Sequence, residues 1–185
     1  MRHLLCLSLF ALVLTGCASS ANIGGMTVAD TQAQSQTYSP ALKENVQVSD
    51  VEGGKKTNPM WTSEIDGPDF KAALSDSLDK AGLLSAAGNA PYTLKAKLVR
   101  VDQPLFGMDF KVTSDVEYSL VDNASGKEVF REILSTPYTA TVSDAFVGVT
   151  RLRLANEGSA RENIAALLKR LSALNIEAGQ VSLKQ

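Results

Sequence analysis

Phe110-Lys111-Val112-Thr113-Ser114-Asp115-Val116-Glu117-Tyr118-Ser119-Leu120 carries its apolar and small residues on even numbers and its polar ones on odd numbers. Alternation over that length marks a β-strand with one face buried and the other wetted. Upstream, Tyr92, Leu94, Ala96 and Leu98 alternate with Thr93, Lys95, Lys97 and Val99, a second half-buried strand. If the two form an antiparallel hairpin, the register that matches charges sets Lys97 opposite Asp115 and Lys95 opposite Glu117. Each such pair contributes a few tenths of a kcal/mol. Downstream, Asp122-Asn123-Ala124-Ser125-Gly126 is a turn. Strand character resumes from Glu128 to about Val142, where Val129/Ile133 and Phe130/Leu134 compete for the inner face, so a bulge or bend is expected.

Helical periods flank these strands. Asp66-Gly67-Pro68-Asp69 has the features of a helix start, with Pro68 near the first position and Asp69 favourable to the dipole. Phe70, Leu74, Leu78 and Ala81 then form one apolar stripe, and Gly82 suits the C-terminal cap. Ser159-Ala160-Arg161-Glu162 matches a capping box, after which Ile164, Leu167, Leu168, Leu171 and Leu174 form a second stripe. A competing reading starts that helix near Val149 with Gly158 as an interior weak point; the capping box favours the later start. Val46, Val48 and Val51 suggest a first strand closed by Gly53-Gly54, and Ile176 to Gln185 reads as a short tail. The expected order is β-α-β-β-β-α, a single two-layer α+β domain over residues 45–185, with a mainly antiparallel sheet and two helices on one face. Ala18 to Pro40, rich in Ala, Ser, Thr, Gln and Gly, reads as a flexible tether, so that residues 17–44 would link the domain to whatever precedes it. As a random coil, its 23 residues would span roughly 26 Å.

The first residues carry an address. Arg2 and His3 precede an apolar run from Leu4 to Leu14, shorter than the ~20 residues a membrane-spanning helix needs but suited to the core of a secretory signal. Leu14-Thr15-Gly16-Cys17 follows and resembles the lipobox of bacterial lipoproteins. The resemblance implies removal of residues 1–16 and lipidation of Cys17, the cysteine carrying a diacylglycerol on sulfur and usually an acyl group on its freed amine. It also implies a membrane partner through that cysteine and a place on the periplasmic face of the outer membrane. Ala18, rather than aspartate, next to the cysteine favours the outer over the inner membrane in enteric lipoproteins. The order of elements is also similar to small envelope lipoproteins, including penicillin-binding-protein activators, and to the TolB amino-terminal domain. That likeness implies a docking module for larger envelope machinery.

Composition limits the chemistry. The chain has 185 residues, 44% of them hydrophobic, and a net charge of −2. Loss of Arg2 takes 18 basic residues to 17 against 20 acids, a mature charge of −3. With a pI near 5.4 and no basic block, nucleic acid is not an expected partner. Removal of His3 and Cys6, with Cys17 modified, leaves no imidazole and no free thiol. That excludes Ser-His-Asp and Cys-His nucleophilic sites and His- or Cys-ligated metal, and no cofactor is expected. Gly53-Gly54-Lys55-Lys56-Thr57 lacks the spacing of a phosphate loop, because Lys56 stands where Ser or Thr is required. Asp66 and Asp69 are explained by capping, and Asp115 and Glu117 by a charged strand face.

What remains is apolar side chains in loops. Leu105-Phe106-Gly107-Met108 joins the two best strands, Phe146-Val147-Gly148-Val149 lies in another connection, and Trp61 lies in a third. Such residues either fold over the ends of the core or form a contact patch. On the second reading, Leu105, Phe106, Met108, Trp61 and Phe146 are candidate partner contacts. The expectation is a non-catalytic, lipid-anchored module for assembly or regulation of a membrane or cell-wall complex. A periplasmic lipid or small-ligand carrier, which needs an apolar cavity between sheet and helices, is the alternative; a carboxylate-based hydrolase ranks third.

Overall fold

The computed structural model describes residues 18–58, 62–177 and 180–183. Its frame is a five-stranded sheet built from β1 (Val46–Val48), β2 (Glu52–Gly53), β3 (Tyr92–Asp102), β4 (Phe110–Asp122) and β5 (Lys127–Ala140). The order across it is β1-β3-β4-β5, with β3, β4 and β5 a continuous antiparallel meander. β1 and β2 both run parallel to β3 along its free side, so together they make one interrupted edge. The α+β class and mainly antiparallel sheet expected from the alternation are therefore observed. Pro137 sits in β5 at the opposite edge, the place in a sheet where a residue without an N–H is tolerated.

The expected hairpin forms, in a different register. Lys97 pairs with Glu117 rather than Asp115, and Lys95 pairs with Ser119. Beyond Leu98 the pairing slips by one residue at Val99, which bulges out half-exposed, and Asp115 then faces Arg100. Their side chains meet at 2.9 Å. Charge matching could not fix the register because a better cation for Asp115 lay beyond a bulge. In the next ladder Leu120 pairs with Phe130 and Val121 with Glu128, so Val129 is the extra residue. The confused alternation of β5 is that bulge.

Two long helices cover one face. α3 (Gly67–Lys80) is capped by the Asp66 carboxylate, which accepts from the Asp69 N–H at 2.8 Å. Phe70, Leu74 and Leu78 are fully buried. The helix ends in paired bonds from Gly82 N–H to the Asp79 carbonyl and from Leu83 N–H to the Leu78 carbonyl. α4 spans Gly148–Ala173, 26 residues, and so begins eleven residues before the expected capping box. Ser159 is an interior residue. Its hydroxyl donates to the Thr136 carbonyl at 2.8 Å and lies 2.8 Å from the Ser114 hydroxyl, which donates back to the Ser159 carbonyl at 3.2 Å. One turn on, the Asn163 amide donates to the carbonyls of Ser114 and Leu134 and accepts from the Tyr118 hydroxyl at 2.9 Å. Burial pushes the Tyr118 phenol well above its usual pKa. The first half of α4 thus packs through small and polar side chains, and Gly158 brings the helix against the Tyr138 ring, which a Cβ would strike.

The expected tether is folded. Residues 18–44 contain α1 (Ile23–Met26), α2 (Asp30–Ala33) and a 3-10 turn at Pro40–Leu42, and they bury Ala21, Met26, Val28, Ala33, Tyr38 and Leu42 in the main core. Those apolar residues follow no helical or strand period, which is why they read as linker. Residues 18–44 thus pack with the domain that the expectation began at residue 45. In the expected tail, the described residues pair as antiparallel strands β6 (Leu174–Glu177) and β7 (Gln180–Leu183).

Candidate functional site

β3 ends at Asp102, β4 starts at Phe110, β5 ends at Ala140 and α4 starts at Gly148, so the loops 103–109 and 141–147 leave the same end of the molecule. A small second core lies beneath them, made of Phe110, Val112, Ala140, Leu152 and Ala155. Above it the apolar side chains point to solvent. Leu105 is 77% exposed, Phe106 84%, Met108 78% and Phe146 89%. Val147 and Val142 add to the same surface. Of the five expected contact residues, four are brought to one tip, and the loops do not fold back over the core. Trp61 lies outside the described residues, as does Cys17.

Arg151, which sequence reasoning did not single out, holds the two loops together. It is buried in the first turns of α4. Its guanidinium donates to the carbonyls of Ala145 at 2.6 Å and Phe146 at 3.1 Å in one loop, and to that of Gly107 at 3.4 Å in the other. Its central carbon, Cζ, lies 5.0 Å from the centre of the Phe110 ring. A cation near a helix N-terminus opposes the dipole; three carbonyls and an aromatic face compensate it here. Carboxylates finish the loops. Asp144 accepts from the Thr141 N–H at 2.7 Å and from its hydroxyl at 2.9 Å, and those bonds, the main-chain one foremost, hold its pKa below the usual range. Asp109 accepts from the Val142 N–H at 3.3 Å.

The amino-terminal strap is fixed along the same helix. Arg153 donates to the Ser19 hydroxyl at 3.1 Å, the Ala21 N–H donates to the Glu64 carbonyl at 3.2 Å, and the Asn22 N–H donates to Glu157 at 2.8 Å. Further along, Arg161 donates to the Gly25 carbonyl at 2.7 Å, and a Cβ at Gly25 would meet the Glu157 carboxylate. Ser19 is thus held five residues from the start of α4, about 7.5 Å along its axis. The first described residues lie at the end that bears the apolar loops.

For the other two expectations the geometry is less favourable. The layer between sheet and α4 is filled by Tyr118, Asn163, Ser159 and Tyr138, with no side chain's worth of space over Gly158. A groove of about 420 Å³ lies elsewhere, lined by Gln32, Gln36, Pro137, Glu162, Ala166 and Lys169 at the β5 edge. Asp115 sits in an ion pair with Arg100, and Glu117 in one with Arg131 at 2.9 Å, so these acids are partnered on a strand face. Among the described residues no group of three or more His, Cys, Asp or Glu is arranged to hold a metal ion. No helix among them is long and apolar enough to cross a membrane.

No protein-family model matches the chain, and no curated protein matches it. Solved structures do. A candidate lipoprotein from Caulobacter crescentus CB15 superposes with a TM-score of 0.51 at 16% identity, over 71% of this chain and 90% of that one. A DUF330 protein from Xanthomonas campestris superposes with a TM-score of 0.54 at 12% identity, over 81% of this chain and 91% of that one. At such identities the likeness is one of fold, and the fold is one represented among candidate bacterial lipoproteins.

Proposed function

We propose that this protein is a non-catalytic, lipid-anchored module of the bacterial envelope, carried on the periplasmic face of the outer membrane through Cys17 and serving the assembly or regulation of a membrane or cell-wall complex. The observation that carries the proposal is the sequence Leu14-Thr15-Gly16-Cys17 leading directly into a chain docked, from Ala18 and Ser19, beside an exposed apolar tip. Leu105, Phe106, Met108 and Phe146 are on this reading a contact surface for a protein or a lipid. A carrier is less well supported, because the layer that would hold its ligand is occupied by Tyr118, Asn163 and Tyr138. Mass spectrometry of the mature amino terminus tests the anchor. A diacylated or triacylated Cys17 is expected, and Cys17→Ser should release the protein from membranes. An unmodified start at another residue would overturn the reading. Crosslinking in intact cells identifies the complex.

A further inference from the structure

We infer that the tip formed by Leu105, Phe106, Met108, Phe146 and Val147 inserts into the lipid leaflet that carries the Cys17 acyl chains, an inference that rests on the lipid anchor proposed above. Three observations select a bilayer as the occupant. Cys17 is bonded directly to Ala18, the first described residue, and Ser19 is held on Arg153 in the second turn of α4. An acyl anchor there confines the membrane to the end of the molecule where the tip projects. Secondly, the exposed side chains of Pro104 to Met108 and Ala145 to Val149 are large and apolar, and the charged residues of the two loops, Asp109 and Asp144, are tied to main-chain N–H groups at their edges. Thirdly, the loops are braced from within. Arg151 binds their carbonyls and Asp109 and Asp144 satisfy main-chain N–H groups. Polar backbone is thus partly satisfied before the side chains enter an apolar phase, as lipid contact demands. No exposed cation lies within those ten residues, so attraction to anionic headgroups contributes little, and neutral lipid should suffice.

The test uses the full acylated chain reconstituted in phosphatidylcholine vesicles. Phe106→Cys and, separately, Ser125→Cys supply single attachment points for an environment-sensitive fluorophore. Ser125 lies in the β4–β5 turn, and the 13 residues of β4 set it roughly 40 Å from the tip. The label at 106 should shift to the blue and lose most of its emission when the lipids carry nitroxides, whereas the label at 125 should do neither. Replacing part of the phosphatidylcholine with an anionic lipid should not increase the shift. A water-exposed label at 106 on vesicle-bound protein would overturn the inference while leaving the anchor intact. A blue shift insensitive to nitroxide lipids, with crosslinks between the 106 positions of two copies, would assign the tip to self-association and overturn it too. A second label that mass spectrometry places on Cys17 would mean that Cys17 carries a free thiol, which removes the anchor and the insertion with it.

Discussion

Gly158 lies in the middle of a 26-residue helix, where glycine is normally a weakness of about 1 kcal/mol relative to alanine. Here the Tyr138 ring occupies the space a Cβ would need. Gly158→Ala should therefore destabilise by about 1–3 kcal/mol, the range for overpacking, instead of stabilising by about 1. Urea denaturation reads the sign directly, and adding Tyr138→Ala should recover part of the loss. Arg151 makes the opposite kind of exception, a cation at the wrong end of a helix held by three carbonyls. Arg151→Leu should cost about 1.5–3 kcal/mol, in line with charged hydrogen bonds, and should raise hydrogen exchange in 103–109 and 141–147 while leaving β4 and β5 protected. By contrast, Leu105→Ser with Phe106→Ser should change folding stability by no more than about 0.5 kcal/mol, since both side chains already face water. A loss of several kcal/mol would place them in the core.

Strands and helices were legible in proportion to how regularly they bury. β4 shows an unbroken period of two, and α3 has a cap, a stripe and a stop; each has the bounds expected to within a few residues. The first turns of α4 gave a weaker helix signal than the capping box because they pack through Asn156, Gly158 and Ser159, residues that carry no apolar stripe. A buried hydroxyl on a sheet carbonyl and a capping hydroxyl look alike in sequence. The β3–β4 register differs by two residues from the charge-matched one because the bulge at Val99 gives Asp115 to Arg100 and leaves Lys97 to Glu117, a shift that charge counting along unbroken strands does not reveal. The tip was legible as a cluster of loop apolars, while its brace, Arg151, gave no signal beyond a basic residue near a helix start. The strap was the largest miss, since Met26, Val28 and Ala33 reach the core from separate short turns. Its hold on α4 is concentrated at Glu157, which accepts from Asn22 and pairs with Arg153. Glu157→Ala should loosen residues 19–27 specifically, seen as faster amide exchange and new proteolytic cleavage there, with the sheet unchanged.

Across the whole molecule the charge balance sets the response to acid. Asp115 is held below the usual carboxylate range by the Ser135 hydroxyl and then by Arg100, Asp50 by Lys71, and Asp122 by the Ala124 N–H first of several bonds. A carboxylate with a depressed folded pKa contributes stability above its unfolded value and loses it as pH falls through the folded one. Asp69, raised by burial, works in the opposite sense. The described residues contain no histidine or cysteine, so no side chain among them has an ordinary pKa near neutrality. Stability should hold level from about pH 5 to 8 and decline once pH drops below about 4, and Asp115→Asn should make that decline shallower. Thermal unfolding across a pH series measures both. The docked strap has a mechanical consequence of its own. A coil of 23 residues would have let the domain swing on a leash; a strap seated on α4 removes the leash. On the lipid anchor proposed above, the domain stands at fixed height like a post, its far end set by the roughly 40 Å length of β4. On that proposal, whatever meets the β4–β5 turn must itself approach to within that height of the bilayer.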